Sequence, residues 1–188
     1  MAALPGVYRT AVGFCGGKKD HPSYKLVCSD PEFDDYAEAI TVDYHPSVLS
    51  YEDVLEAFFR SHDAISGRGR SRQYASVIFT HDDAQREVAE RVLASQPRAS
   101  TSVEPVGPFW EAESYHQKFL LQRKRPLMLA LGLTSYDELL GPAPTILNAV
   151  AGGHMRVGSA LARLEVLVED GELADAAHAE VRAVLEDL

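Results

Sequence analysis

The 188-residue sequence predicts an α/β (α+β) chain: a mixed sheet flanked by helices, followed by a helical C-terminal extension. Three observations lead there. Short β-branched and aromatic runs end at glycine or proline, as strands do. Between them lie amphipathic runs with helical spacing and polar residues at their starts. The C-terminal part carries two further helical stretches and no strand signal, and the chain is divided into 1–125 and a helical extension over 126–188.

The elements follow in order. "VYRTAVGF" (7–14) is a strand closed by Gly16-Gly17. Residues 18–35, rich in Gly, Pro, Ser and Asp, read as a long loop. "EAITVDYHP" alternates Ile40, Val42 and Tyr44 against polar neighbours, a second strand stopped by Pro46. Ser50-x-x-Asp53 opens a helix over 50–62, its hydroxyl capping orphan amides and its acid favouring the positive helix end. A polar, basic loop, "SGRGRSR", leads to a third strand over 73–80 and a helix over 82–95 that stops before Pro97. "STSVEPV" gives a fourth strand, and a third helix is expected from about Glu111 through "YHQKFLLQRKR". The strands at 7–14, 38–44 and 73–80 are expected to share one sheet. Residues 141–153 read as a Pro/Gly linker, and two helices broken at Gly171 complete the chain.

Composition narrows the function classes. Eighteen basic against 28 acidic residues leave a net charge of −10, which disfavours nucleic acid and anionic membranes as partners. Two cysteines, Cys15 and Cys28, make no disulfide framework and point to a reducing, intracellular compartment, the cytoplasm first. No run is long and apolar enough to span a bilayer, and "MAALPGV" lacks the charged and apolar regions of a signal peptide. The seven histidines form no metal-ligand spacing with cysteine or acid, so no metal is expected.

Five stretches, "LPGVYRTAVGFCGG", "HPSYKLVCS", "YAEAITVDYHPSVLSYEDVLEAFFRSHD", "RQYASVIFTHDDAQREVAE" and "GPFWEAESYHQKF", occur in one order from Leu4 to Phe119. In that order and spacing the chain resembles the A-type peptide methionine sulfoxide reductases. The resemblance implies a ferredoxin-like fold and reduction of (S)-methionine sulfoxide, in proteins and as the free amino acid, by thiol chemistry. No bound cofactor is implied. Thioredoxin or another dithiol is the implied reductant and partner, and oxidised methionine in proteins the implied substrate.

It also implies roles for particular residues. Glu38 matches the family's acid, and a carboxyl in a partly apolar pocket can protonate a sulfoxide oxygen. Tyr24 and Tyr74 match its two oxygen-binding tyrosines, whose hydroxyls steady that oxygen as charge develops. Trp110 and Phe14 fall where a substrate pocket would be walled, although core packing accounts for Trp110 equally well. The family's nucleophile lies in a Gly-Cys-Phe-Trp motif that precedes its "LPGV" turn; here Met1, Ala2 and Ala3 precede Leu4, and the motif is absent from the 188 residues. The first strand of the fold is therefore expected to be missing. Arg68-Gly69 replaces an Asn-Asp pair shortly before the second tyrosine, and Tyr36 replaces a histidine before the acid.

Neither cysteine takes over by default. Cys15 closes the first strand on the sheet edge where the lost nucleophile would lie, so a relocated thiol is one reading. Without a helix N-terminus to lower its pKa, a small half-buried residue is the other. Cys28 matches a cysteine that family members carry without using as nucleophile. No cysteine follows it to recycle an oxidised thiol. Two functions stay open: a methionine sulfoxide reductase, and a non-catalytic relative that binds oxidised methionine or a protein partner.

Overall fold

The computed structural model describes residues 1–64 and 71–187. The chain separates into two compact units, each described here by itself. The first holds Met1, residues 12–41 and residues 45–113; the second holds residues 2–11, 42–44 and 114–188. The expected division at residue 125 thus lies inside the second unit.

Strand β1 (Val7–Cys15) is followed by helix α1 (Tyr24–Ser29) and a 3-10 turn (Pro31–Phe33), then by β2 (Ala37–Tyr44) and α2 (Tyr51–Ser61). A second 3-10 turn (Arg72–Tyr74) leads to β3 (Val77–Thr80), α3 (Asp83–Ala94), β4 (Ser102–Pro105) and β5 (Trp110–Glu111). Residues 18–35, expected to be a loop, contain α1. The hydroxyl of Ser23 caps it by accepting from the Leu26 amide, and its apolar Leu26 and Val27 are too few to stand out between Pro22 and Asp30.

The strands form two sheets rather than one. One runs β2-β1-β5, and β3 pairs in parallel with β4, Val77 opposite Ser102 through Thr80 opposite Pro105. This corrects the single sheet expected of the three main strands, and the reason is local: β2 and β5 take both sides of β1, leaving none for β3. β5 runs antiparallel to β1 with Gly13 facing Glu111 and Phe14 facing Trp110. A Cβ at Gly13 would lie 2.2 Å from the Trp110 carbonyl oxygen, so only glycine admits β5. Phe14, Val27, Phe33, Tyr36 and Ala112 form the core beneath α1, while Leu55, Ile78, Ala89 and Val92 form the one joining α2 and α3 to β3.

The second unit contains a 3-10 turn (Ser114–His116) and six helices: α4 (Phe119–Gln122), α5 (Arg125–Leu131), α6 (Tyr136–Leu139), α7 (Pro142–Ala151), α8 (Val157–Glu169) and α9 (Asp175–Glu186). The helix expected from Glu111 does not form. Trp110 and Glu111 pair with β1, and Lys118 adopts a left-handed conformation at φ +46° that interrupts the run. The Lys118 ammonium is buried and donates to the Thr10 carbonyl at 2.6 Å.

The expected linker at 141–153 is instead α7, largely buried. Its prolines occupy the first turn, where a missing amide hydrogen costs no helical bond. Leu121, Leu127, Ile146, Leu147, Leu164, Val181 and Leu185 pack at the centre of this unit. Arg163 donates to the Ala2 carbonyl at 2.9 Å and to the Val7 carbonyl, which binds residues 2–11 into the same unit.

Candidate active site

A polar cluster assembles from three separate segments of the first unit. Helix α1 places Tyr24 and Cys28 one turn apart on the same face. β2 contributes Glu38, and the Arg72–Tyr74 turn contributes Gln73 and Tyr74. Gln73 is 7% exposed, and its amide joins the segments: Nε2 donates to Glu38 Oε1 at 2.7 Å and to Cys28 Sγ at 3.1 Å. A buried amide left unpaired would cost desolvation energy, so these bonds fix Gln73 and orient the carboxyl it holds.

The phenols lie at the open side, Tyr24 39% and Tyr74 53% exposed. Tyr24 is pushed above the usual phenol range, first by its hydrogen bond to Cys28, then by the charges of Cys28, Tyr74 and Glu38. At neutral pH the Tyr24 hydroxyl keeps its proton and can donate it in a hydrogen bond. The backbone amide of Tyr24 donates to Glu113 Oε1 at 3.0 Å, which anchors the start of α1.

Cys15, open as a relocated nucleophile in the sequence, lies in the core at 1% exposed. Burial pushes its thiol up, while backbone amides and the charge of Arg72 pull the other way. A neutral, enclosed thiol is a poor nucleophile. Phe14, placed at a pocket wall by resemblance, is 2% exposed in the core with Val27, Phe33 and Tyr36. Trp110 is half-buried on that core with its ring edge-on to His21, centroids 4.6 Å apart. Tyr36 is enclosed too; its hydroxyl donates to the Lys19 carbonyl. Arg68-Gly69 lies outside the described residues.

Sequence reasoning missed Gln73 and gave Cys28 no part in the cleft. The signal for Cys28 was its four-residue spacing from Tyr24, visible only once the segment is known to be helical. For Gln73 the signal was adjacency to Tyr74 alone. Among the described residues no group of three or more His, Cys, Asp or Glu side chains could hold a metal, and no helix is long and apolar enough to cross a membrane.

An α/β fold bearing a carboxyl, two phenols and a thiol around one buried amide defines a class of cleft suited to a small polar acceptor. The chain belongs to the peptide methionine sulfoxide reductase family, A type: the family model "Peptide methionine sulfoxide reductase" matches residues 1–137. Peptide methionine sulfoxide reductase A5 of rice (Oryza sativa subsp. japonica) is 38% identical over 150 residues, covering 74% of this chain and 57% of its own length. The MsrA of Acidobacterium capsulatum is 40% identical over 131 residues, covering 64% of this chain and 83% of its own. Reduced Mxr1 from Saccharomyces cerevisiae matches in structure with a TM-score of 0.55 at 34% identity, over 64% of this chain and 74% of its own. The methionine sulfoxide reductase A of Corynebacterium diphtheriae gives 0.53 at 28% identity, over 66% of each chain. The chain thus spans little more than half the length of the rice relative.

Proposed function

We propose that the cleft is the sulfoxide-binding and proton-donating half of a peptide methionine (S)-sulfoxide reductase. The observation that carries this is the Gln73 amide joining the Glu38 carboxyl, at 2.7 Å, to Cys28 on the helix that bears Tyr24, with Tyr74 next to Gln73 in its turn. A sulfoxide oxygen is a strong acceptor, and phenol donors at an open cleft suit it. As a thiolate attacks the sulfur, the S–O bond breaks and the oxygen needs a proton, for which Glu38 is the candidate. The thiolate and the substrate sulfur become bonded as the oxygen departs as water; water then attacks the thiol sulfur, breaking that S–S bond, releasing methionine and leaving a sulfenic acid. A second thiol then displaces water from the sulfenic acid, and a dithiol such as thioredoxin reduces the disulfide. The chemistry uses no bound cofactor, and its reductant belongs to a reducing compartment.

The test is binding of N-acetyl-methionine sulfoxide amide, followed by NMR or calorimetry, with the two sulfur epimers compared. The S epimer is expected to bind more tightly, and Glu38→Gln with Tyr74→Phe to weaken it by about tenfold or more, as loss of positioned hydrogen bonds implies. Equal binding of both epimers, unaffected by either substitution, overturns the reading. Given a dithiol, these 188 residues by themselves are expected to show no turnover above the thiol background. Turnover lost in Cys28→Ser but kept in Cys15→Ser would instead make Cys28 the attacking thiol.

A further inference from the structure

We propose that Arg72 is a positioning residue for the cleft, a single guanidinium that fixes both segments meeting at the Gln73–Glu38 bond. This rests on the sulfoxide-binding reading above. Arg72 immediately precedes Gln73 in the 3-10 turn, and its fork is engaged on several sides. Nη1 donates to Glu104 Oε1 at 2.9 Å and Nη2 to Glu104 Oε2 at 2.7 Å, a two-pronged pair with β4. Nε donates to the Asp35 carbonyl at 3.3 Å, three residues before Glu38. The guanidinium also lies over the Phe79 ring of β3, 5.9 Å from its centroid.

The turn carrying Gln73 and the backbone leading to Glu38 are thus tied to the same rigid group. Movement of either would lengthen the 2.7 Å bond between them. The ion pair is not a loose surface contact. Its side chains are 26% and 33% exposed, and the Ser102 hydroxyl donates at 2.6 Å to Glu104 Oε1, the oxygen that Nη1 also engages. Gly16 makes room for it: at φ +89° it favours glycine, and an added Cβ would stand 2.9 Å from Arg72 Nη2. Lysine cannot replace this fork, because one ammonium cannot serve a carboxylate in two-pronged fashion and a separate carbonyl together.

The test uses the full chain with Arg72→Lys, Arg72→Met, Glu104→Gln and the charge swap Arg72→Glu/Glu104→Arg. Two measurements are made on each: affinity for the S-sulfoxide peptide, and the rate at which Cys28, bonded to the same Gln73 amide, reacts with an aromatic disulfide reagent. Arg72→Met is expected to weaken sulfoxide binding by about tenfold, the size of a lost bond to a charged group. It should also speed Cys28 reaction several-fold while the amide spectrum of α2 and α3 stays native. Arg72→Lys and Glu104→Gln should fall between it and the wild type, and the swap should restore neither reading, since a carboxylate at position 72 offers the Asp35 carbonyl no donor. A folded Arg72→Met or Glu104→Gln chain with wild-type affinity and wild-type Cys28 reactivity overturns the proposal. If the wild type binds no sulfoxide, the functional reading fails, and the Cys28 rates still decide the role of Arg72.

Discussion

The centre of the helical unit and the side chain of Gln73 are both buried, yet they are held on opposite terms. At the centre of the helical unit Leu121, Leu127, Leu147, Leu164, Val181 and Leu185 pack together, and Thr145, buried in α7, spends its hydroxyl on the carbonyl of Gly141, which caps the same helix. Around Gln73 the enclosed group is an amide, and what it touches is a carboxyl and a thiol from two other segments. The first arrangement derives its free energy from area removed from water and tolerates small shifts. The second derives its geometry from directed bonds, and an error in position leaves a polar group unpaired. Stability and site geometry are therefore expected to respond to different substitutions.

The largest expected effect comes from the dry side. Leu164 is 0% exposed in α8, and Leu164→Ala should cost about 2–5 kcal/mol through lost transfer energy and a residual cavity. Urea unfolding measures it. Under conditions where the variant is still folded, its sulfoxide affinity should match the wild type. A parallel loss of affinity would break the comparison and make the helical core part of the cleft's support.

A smaller loss of stability, with a larger effect on binding, is expected from Gln73→Leu. The substitution keeps approximate volume and removes the donor from Glu38 Oε1 and Cys28 Sγ. An intramolecular hydrogen bond contributes about 0.5–1.5 kcal/mol, so sulfoxide affinity should fall by roughly threefold to tenfold. Calorimetry of the same sulfoxide peptide reads it. Wild-type affinity in Gln73→Leu would show that Glu38 needs no second residue to orient it.

The same contrast explains how much could be read from the sequence. α2 was legible because its signals are local: Ser50 and Asp53 make both halves of a capping box, and the apolar residues repeat at helical spacing. α3 was legible from Asp82, whose carboxyl caps the Gln85 amide. α7 was obscured by prolines that mark a break in most settings and here fill the first helical turn. The parting of β3 from β1 depends on which strands compete for β1, which no window of sequence contains. In the cleft, Glu38, Tyr24 and Tyr74 came from resemblance, whereas the partners that organise them did not. Gln73 meets Cys28 and Glu38 across 45 and 35 residues, and Arg72 meets Glu104 across 32. Such pairs have no periodicity, only a folded chain to bring them together.

The smallest expected effect separates the two thiols. Cys15 is enclosed at the end of β1, and burial raises its pKa in the folded chain above the unfolded value. With a raised folded pKa, the contribution of this group is fully present below the unfolded thiol pKa of about 8.5. It is lost as pH rises through the folded value, because the unfolded chain gives up its proton first. Wild-type stability measured against Cys15→Ala should therefore hold a constant difference to about pH 8 and then decline, with a slope no steeper than about 1.4 kcal/mol per pH unit. Urea midpoints at closely spaced alkaline pH values, taken on both proteins, give that difference free of the tyrosines common to both. Alkylation provides the second reading: at pH 8 the exposed Cys28 should react and Cys15 should not until the chain unfolds. A flat difference through the alkaline range, or native-state labelling of Cys15 at the rate of Cys28, would place Cys15 in contact with solvent and reopen it as a nucleophile.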